Sequence, residues 1–311
     1  MKKLFLLLVL IALSVAIGYS LKPKNKPVSP DKVLSAQKRE ILRFAIVADS
    51  ENDNDLLAKA LLQAKGAGVN FVVGLGDWTT VGTDEQLADV KRVFDQSGFT
   101  YYLTSGDHDV WDSRDKQKEA LTNFREVFGE PNHLIEKNGV KIIVIDNSDI
   151  YKGMNDETWN FLKAGLEECR GPVTSFLPVS APLRVSFVRH LQVVGEVRAA
   201  GNPSTGATPR ICFVMAHKTP FHPESSHVMG EESARVTSQA KMLLDTLINS
   251  NVSGFFSGDM HFFAQFKSAD GKLPITTVGA VAKEKNFQGP RFAIVKVFND
   301  YTWQAEDVEI R

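Results

Sequence analysis

Residues 104–111, TSGDHDVW, put Asp107, His108 and Asp109 in consecutive positions directly behind the apolar run YYL at 101–103. Such a run reads as a buried strand, and a cluster of titratable groups at its end is an arrangement that holds a cation. The same pattern recurs along the chain. Residues 44–48 (FAIVA) lead into Asp49-Ser50-Glu51, residues 71–75 (FVVGL) into Gly76-Asp77, residues 211–216 (ICFVMA) into His217, and residues 254–257 (GFFS) into Gly258-Asp259-Met260-His261. Five strand ends therefore each offer a metal-type ligand. In open α/β sheets the carboxyl ends of the strands face one crevice, so residues far apart in sequence are gathered there. Taken singly, an Asp at a strand end is equally a turn or helix-capping residue. The reading rests on the agreement of all five ends, and on the glycines before Asp77, Asp107 and Asp259, which free the backbone to swing a short carboxylate toward a shared centre.

The intervening segments carry a helical period. Leu56, Leu57, Ala60, Leu61 and Ala64 form one stripe that stops at Gly66 and Gly68. Thr83 with Gln86 makes a capping box for a helix aligning Leu87, Val90 and Phe94 and closed by Gly98. Ala120, Leu121, Phe124, Val127 and Phe128 mark another helix; Trp159, Leu162 and Leu166 a further one; Ala240, Leu243, Leu244 and Leu247 the last. Asn138-Gly139 between two apolar runs signals a hairpin, and residues 274–281, 291–298 and 302–310 read as C-terminal strands. Strands alternating with helices, plus a few antiparallel pairs, predict an α/β fold. Residues 171–209, with scattered Gly and Pro and no sustained period, read as an insertion.

At 311 residues and 43% hydrophobic content the chain can bury one catalytic-sized core, placed at 41–311. A net charge of -1 and the lack of a basic patch argue against nucleic acid as a partner. Two cysteines, Cys169 and Cys212, cannot build a disulfide framework, and Cys212 inside ICFVMA reads as a buried small hydrophobe. Residues 1–21, with Lys2 and Lys3 ahead of an apolar run broken only by Ser14, are a signal peptide or a membrane anchor. Residues 14–16 suit cleavage, whereas residues 18–21 extend the run toward spanning length. Residues 22–40, rich in Lys, Pro and Ser, read as a linker. The expectation is export or membrane anchoring with an extracytoplasmic domain; because Lys22, Lys24 and Lys26 follow the apolar run, the alternative is an anchored domain facing the cytoplasm.

Over roughly residues 42–265 the order and spacing of the five ends resemble the calcineurin-like metallophosphoesterases. That family's motifs run Asp-x-His, Gly-Asp-x-x-Asp, Gly-Asn-His-Asp/Glu, a lone His and Gly-His-x-His. The segments GDHDVW, FREVFGEP, GVKIIVIDNS and AHKTPF resemble its connecting segments as well, and the ending SGDMHFF is similar to the Gly-Asp-x-His of PhoD-like alkaline phosphatases. The resemblance implies a sandwich of two mixed β-sheets flanked by helices, with a two-metal site at the strand ends. It implies metal one on Asp49, Glu51, Asp77 and His261, and metal two on Asp77, Asp107, His217 and Asp259, with Asp77 bridging. The implied reaction is hydrolysis of a small phosphorylated substrate, a mono- or diester, by in-line attack of a hydroxide held between the metals. His108 is then expected to protonate the leaving oxygen, and Asp109 to fix the tautomer of its ring. The alternative is an inactive descendant of the fold serving as a metal-binding interaction module.

The departures from the pattern bear on the metal. Glu51 stands where the family has His, Thr80 where it has the second Asp of its second motif, Asp107 where it has Asn, and Asp259 where it has His. Every swap at a ligand position keeps a ligating group, which favours an enzyme over a decayed relative. Five gathered carboxylates cannot all ionise without cations, and so oxygen-rich a set favours Mn, Fe, Mg or Ca over Zn. Lys218 reads as an exposed lysine without a role at the site. His133, His190, His222 and His227 are assigned surface or packing roles, and Trp78 and Trp111 either wall the cleft or pack in the core.

Overall fold

The computed structural model describes residues 37–167, 169, 211–284 and 286–311. The expected N-terminal segment at 1–21, nearly all of the linker and the insertion at 171–209 lie outside the described residues. Among the described residues no helix is long and apolar enough to cross a membrane.

Strand β1 (Glu40–Val47) buries both of its faces: Leu42, Phe44 and Ile46 on one, Ala45 and Val47 on the other. A strand apolar on both sides has to be covered on both sides. It is joined in parallel by β2 (Val72–Leu75), which pairs in parallel with β3 (Tyr101–Thr104), and on its other edge antiparallel by β10 (Arg291–Phe298), which pairs with β11 (Trp303–Glu309). The order of this sheet is β11-β10-β1-β2-β3. The second sheet, β4-β5-β6-β7-β9-β8, comprises β4 (His133–Lys137), β5 (Val140–Val144), β6 (Ile211–Ala216), β7 (Gly254–Ser257), β8 (Ala264–Lys267) and β9 (Pro274–Thr277). Its four central strands are parallel, and β4 and β8 are antiparallel edges. The β4–β5 hairpin turns on Asn138 (φ 53°) and Gly139 (φ 77°), the left-handed pair that a two-residue turn of this hand requires.

The sheets face each other across one core of Phe44, Ile46, Leu75, Ile142, Val144, Phe213, Met215, Phe256 and Val295. Phe213 meets Phe256 and Trp303 edge-on, with centroids 5.4 Å and 5.3 Å away, a favoured aromatic geometry. The outer face of the first sheet is covered by α1 (Asn54–Gly66) and α2 (Asp84–Ser97), through Leu57, Leu61, Leu87, Val90 and Phe94. The outer face of the second is covered by α5 (Asp156–Glu167) and α6 (Ala234–Asn249), through Leu162, Leu166, Leu243 and Leu247. The result is the expected two-sheet sandwich between helices. Thr83 caps α2 by accepting from Gln86 N at 3.2 Å, but the Gln86 side chain accepts instead from Val81 N, so only half of the capping box forms.

One expectation is corrected. Cys169 and Cys212 form a disulfide (Cα–Cα 5.7 Å), because α5 packs on the β6 side of the sheet and brings its C-terminal end beside that strand. Cys212 is buried as expected, yet it is cross-linked rather than a lone apolar thiol. The helix expected from the stripe at 120–128 forms as α4 (Thr122–Phe128), and a short helix not foreseen, α3 (Trp111–Asp115), precedes it. Strand β8 was not legible, since AQFK alternates over only four residues.

Candidate metal centre

The C-terminal ends of β1, β2 and β3 meet those of β6 and β7 at the seam between the two sheets. The contacts across that seam are direct. His217, after β6, reaches the carbonyl of Leu75 at the end of β2 through Nδ1 at 2.7 Å, and Asp259, after β7, donates its N–H to Asp49 Oδ1 at 3.1 Å. Within the first sheet Asp49 N donates to the Gly76 carbonyl at 2.9 Å. The backbone is strained where the ligands sit: Asp49 (φ 55°), Glu51 (φ 42°), Asp77 (φ 53°), Asp259 (φ 65°) and His261 (φ 59°) are all left-handed. Non-glycine residues hold that conformation at a cost of order 1–3 kcal/mol each, and such residues concentrate at functional sites.

Two glycines let the loops close on one another. A side chain on Gly76 would stand 2.5 Å from Gly106 N, and one on Gly106 would stand 2.1 Å from Asp77 Oδ1. The loops after β2 and β3 therefore touch backbone to backbone, which is what brings Asp77 beside Asp107.

Three groups of side chains offer ligand atoms within 4.8 Å of one another: Asp49, Asp77 and His217; Glu51, Asp77 and His261; Asp107, His217 and Asp259. All seven residues expected to hold metal fall in these groups; Asp77 is common to the first two and His217 to the first and third, whereas Asp107 and Asp259 group without Asp77. His217 stands at the middle, its Nε2 3.4 Å from Asp77 Oδ1, 3.3 Å from Asp107 Oδ1 and 3.6 Å from Asp259 Oδ1. Because Nδ1 is committed to the Leu75 carbonyl, Nε2 is the nitrogen turned to the ligands. His261 Nε2 lies 3.4 Å from Glu51 Oε1.

The donor set fits a cation. Asp49 Oδ2 and Asp259 Oδ2 are buried without a hydrogen-bond partner, and a buried carboxylate oxygen in that state is costly unless a positive charge faces it. Burial, and then the neighbouring Asp77 and Asp259, push the Asp49 carboxyl well above the ordinary range against the pull of His217. His217 is itself raised well above its ordinary value: burial opposes this, but Asp77 and Asp107 outweigh it.

Asp109 does not do what its position beside His108 implied. It is fully buried and accepts from Thr79 N (3.0 Å), Thr79 Oγ1 (2.9 Å), Gly106 N (2.9 Å) and Trp78 N (3.3 Å). It clamps the loops after β2 and β3 together, and burial and then Asp77 push its carboxyl up to about 7. Residues 108–110 form a single 3-10 turn, in which successive side chains diverge by a third of a turn, so neighbours in sequence do not face each other. His108 instead directs Nδ1 to the Thr80 carbonyl at 3.0 Å and stacks on Trp111 with centroids 4.0 Å apart. Trp78 is wholly buried against Phe94 and belongs to the core.

Two residues given no role at the site belong to it. Lys218 is 2% exposed, with Nζ 2.8 Å from Asp259 Oδ1 and 3.4 Å from Asp107 Oδ1. His227, half-exposed, places Nε2 3.3 Å from Asp259 Oδ1 and Nδ1 2.7 Å from Glu231 Oε2. For Asp107, burial is outweighed by His217 and Lys218, which hold it well below the carboxylate range. For Asp259, burial is outweighed by His227 and Lys218, which hold it at about 2. His227 is raised to about 9, chiefly by its hydrogen bond to Asp259. The side chains of Glu51, Asp77, Asp107, His108, Lys218, His227, Asp259 and His261 open onto a cleft of about 300 Å³.

Comparison with solved structures places this architecture. The chain is similar to a dimetal phosphatase from Danio rerio, at 15% identity and TM-score 0.51 over 88% of this chain and all of that one. It is similar also to a purple acid phosphatase from yellow lupin seeds, at 13% identity and TM-score 0.55 over 86% of this chain and 51% of that one. The fold is the metallophosphoesterase sandwich. No protein-family model matches the sequence, and no curated protein matches it.

Proposed function

We propose that the protein is a metal-dependent phosphoester hydrolase acting on a small phosphorylated substrate. One observation carries this reading: five carboxylates and two imidazoles from both sheets converge in three overlapping ligand groups at the floor of an open cleft. Glu51, Asp77 and His261 would hold one cation, and Asp107, His217 and Asp259 mark a second cation position, with Asp49 behind both. Cations bound there supply Lewis acidity toward a phosphoryl oxygen and make water a nucleophile near neutral pH. The oxygen-rich donors favour Mn, Fe, Mg or Ca over Zn.

The chain's own residues supply the rest. His217, locked by the Leu75 carbonyl, orients the ligands it touches. His108 lies on the cleft wall with Nδ1 directed to the Thr80 carbonyl, which leaves Nε2 to hold and release the proton the leaving oxygen needs. Trp111 stacked on its ring keeps it in that orientation. Asp109 fixes the loops that carry Asp77 and His108, and acts through them. Support for an extracytoplasmic location comes from the Lys-led apolar segment at 1–21, a membrane contact if uncleaved, and from the Cys169–Cys212 disulfide, a bond that persists in oxidising compartments.

The test is hydrolysis of aryl phosphate mono- and diesters after loading with Mn or Fe, in wild type, Asp77→Asn and His108→Ala. Wild type is expected to hydrolyse at least one class. Asp77→Asn should lose both metal and activity, and His108→Ala should keep metal while losing about 10²–10⁴-fold in rate. A wild type that keeps metal and hydrolyses neither class returns the protein to the metal-binding interaction module.

A further inference from the structure

We propose that the ammonium group of Lys218 is the second cation of this centre, so that the protein takes one metal ion per chain, at Glu51, Asp77 and His261. The proposal rests on the reading of the site as a metal centre and sharpens its stoichiometry.

Lys218 is a built part of the site rather than a side chain that strays into it. Its backbone is clamped on both sides by one residue, Asn147, whose Oδ1 accepts from Lys218 N at 3.0 Å and whose Nδ2 donates to Lys218 O at 2.8 Å. From that anchor Nζ reaches Asp259 Oδ1 (2.8 Å) and Asp107 Oδ1 (3.4 Å) with the side chain 2% exposed. A buried ammonium is tolerated only where it is paired, and its two partners are the oxygens that the third ligand group turns toward His217, at 3.3 Å and 3.6 Å from Nε2. The atoms that would hold a second metal ion already face a fixed positive charge.

The sequence departures fall in the same place. Asp107 and Asp259 are two of the three positions at which this chain carries a carboxylate where the resembled pattern has a neutral ligand, and both touch Lys218. Two neutral-to-anionic changes add two negative charges. Lys218 returns one positive charge, and His227 adds a further nitrogen 3.3 Å from Asp259 Oδ1. Acids that serve only a metal have no need of a lysine bound between them, whereas a lysine standing in for a metal requires acids. The third changed position, Glu51, lies in the other ligand group, with Asp77 and His261, its Oε1 3.4 Å from His261 Nε2.

The experiment counts metal in the full-length protein. Wild type saturated with Mn²⁺ and freed of excess is analysed by elemental analysis and by electron paramagnetic resonance, beside Lys218→Met and Lys218→Arg. The expected result is one Mn²⁺ per chain with an uncoupled six-line spectrum in wild type and Lys218→Arg, rising to two per chain with exchange-coupled features in Lys218→Met. Two ions per chain in wild type would overturn the proposal while leaving the hydrolase reading intact. No bound ion in wild type would end both. Should Lys218→Met fail to fold, the wild-type count and spectrum decide alone.

Discussion

Gly106→Ala tests how tightly the loops after β2 and β3 must close for the centre to exist. A Cβ at residue 106 would stand 2.1 Å from Asp77 Oδ1, 2.2 Å from Asp77 N and 2.8 Å from Asp77 Cγ. Non-bonded heavy atoms settle at separations above 3 Å, so one loop has to retreat by about 1 Å. Neither can do so freely, because Gly106 N donates to Asp109 Oδ2 at 2.9 Å and His108 N donates to Asp77 Oδ1 at 3.0 Å. Overpacking of this kind costs about 1–3 kcal/mol of stability, and a displacement of about 1 Å in a positioned group costs about 10²-fold in rate. Asp77 is shared between two of the three ligand groups, so affinity for Mn²⁺ should fall with stability. The matched control is Gly66→Ala, at the end of α1, where nothing lies within 4 Å of the new methyl; it should be neutral or stabilise by up to about 1 kcal/mol. Urea unfolding and calorimetric titration with Mn²⁺ read both effects. A Gly106→Ala protein that matches wild type in Mn²⁺ affinity would refute the reasoning.

Opening the Cys169–Cys212 bond, by reductant or by replacing both residues with Ser, frees a loop of sequence separation 43 and should cost up to about 4 kcal/mol on chain-entropy grounds, seen as a lower unfolding midpoint; an unchanged midpoint would remove the bond as a structural element. Asp109→Asn sets an amide N–H against backbone donors and should cost about 1–3 kcal/mol, while leaving the pH profile of turnover where wild type has it; a shifted profile would restore Asp109 as a direct partner of His108. In metal-stripped protein, His227 has a folded pKa of about 9 against about 6.5 unfolded, so its protonation stabilises the fold fully below about 6.5 and this contribution disappears as pH rises through 9. The stability gap between wild type and His227→Gln should therefore close from pH 6.5 to above 9, and a gap that widens over that range contradicts the contact with Asp259.

Much of the centre was legible because its chemistry is written at strand ends. An apolar run followed by Gly-Asp states both where the strand stops and what it presents, and parallel strands then bring Asp49, Asp77, Asp107, His217 and Asp259 to one edge. What failed was inference from adjacency. His108 and Asp109 are neighbours in sequence, but a 3-10 turn sends one to the cleft and the other into the core. Lys218 looked like surface because nothing local to AHKTPF shows that Asn147, 71 residues away, clamps its backbone over two carboxylates. His227 follows no apolar run, and its approach to Asp259 depends on the path of the chain between β6 and α6. The disulfide was missed for the same reason: Cys169 and Cys212 meet only once α5 lies on the second sheet.

His261 hangs from one leaf of the sandwich, Glu51 and Asp77 from the other. Whatever positive ion they share is a rivet through both leaves, and its grip counts toward holding them shut: each tenfold rise of free ion above its dissociation constant adds about 1.4 kcal/mol to the folded form. Chelators should then act on this protein as mild denaturants. A cell starved of the ion would lose the protein itself as well as its turnover, tying abundance to nutrient supply with no dedicated sensor.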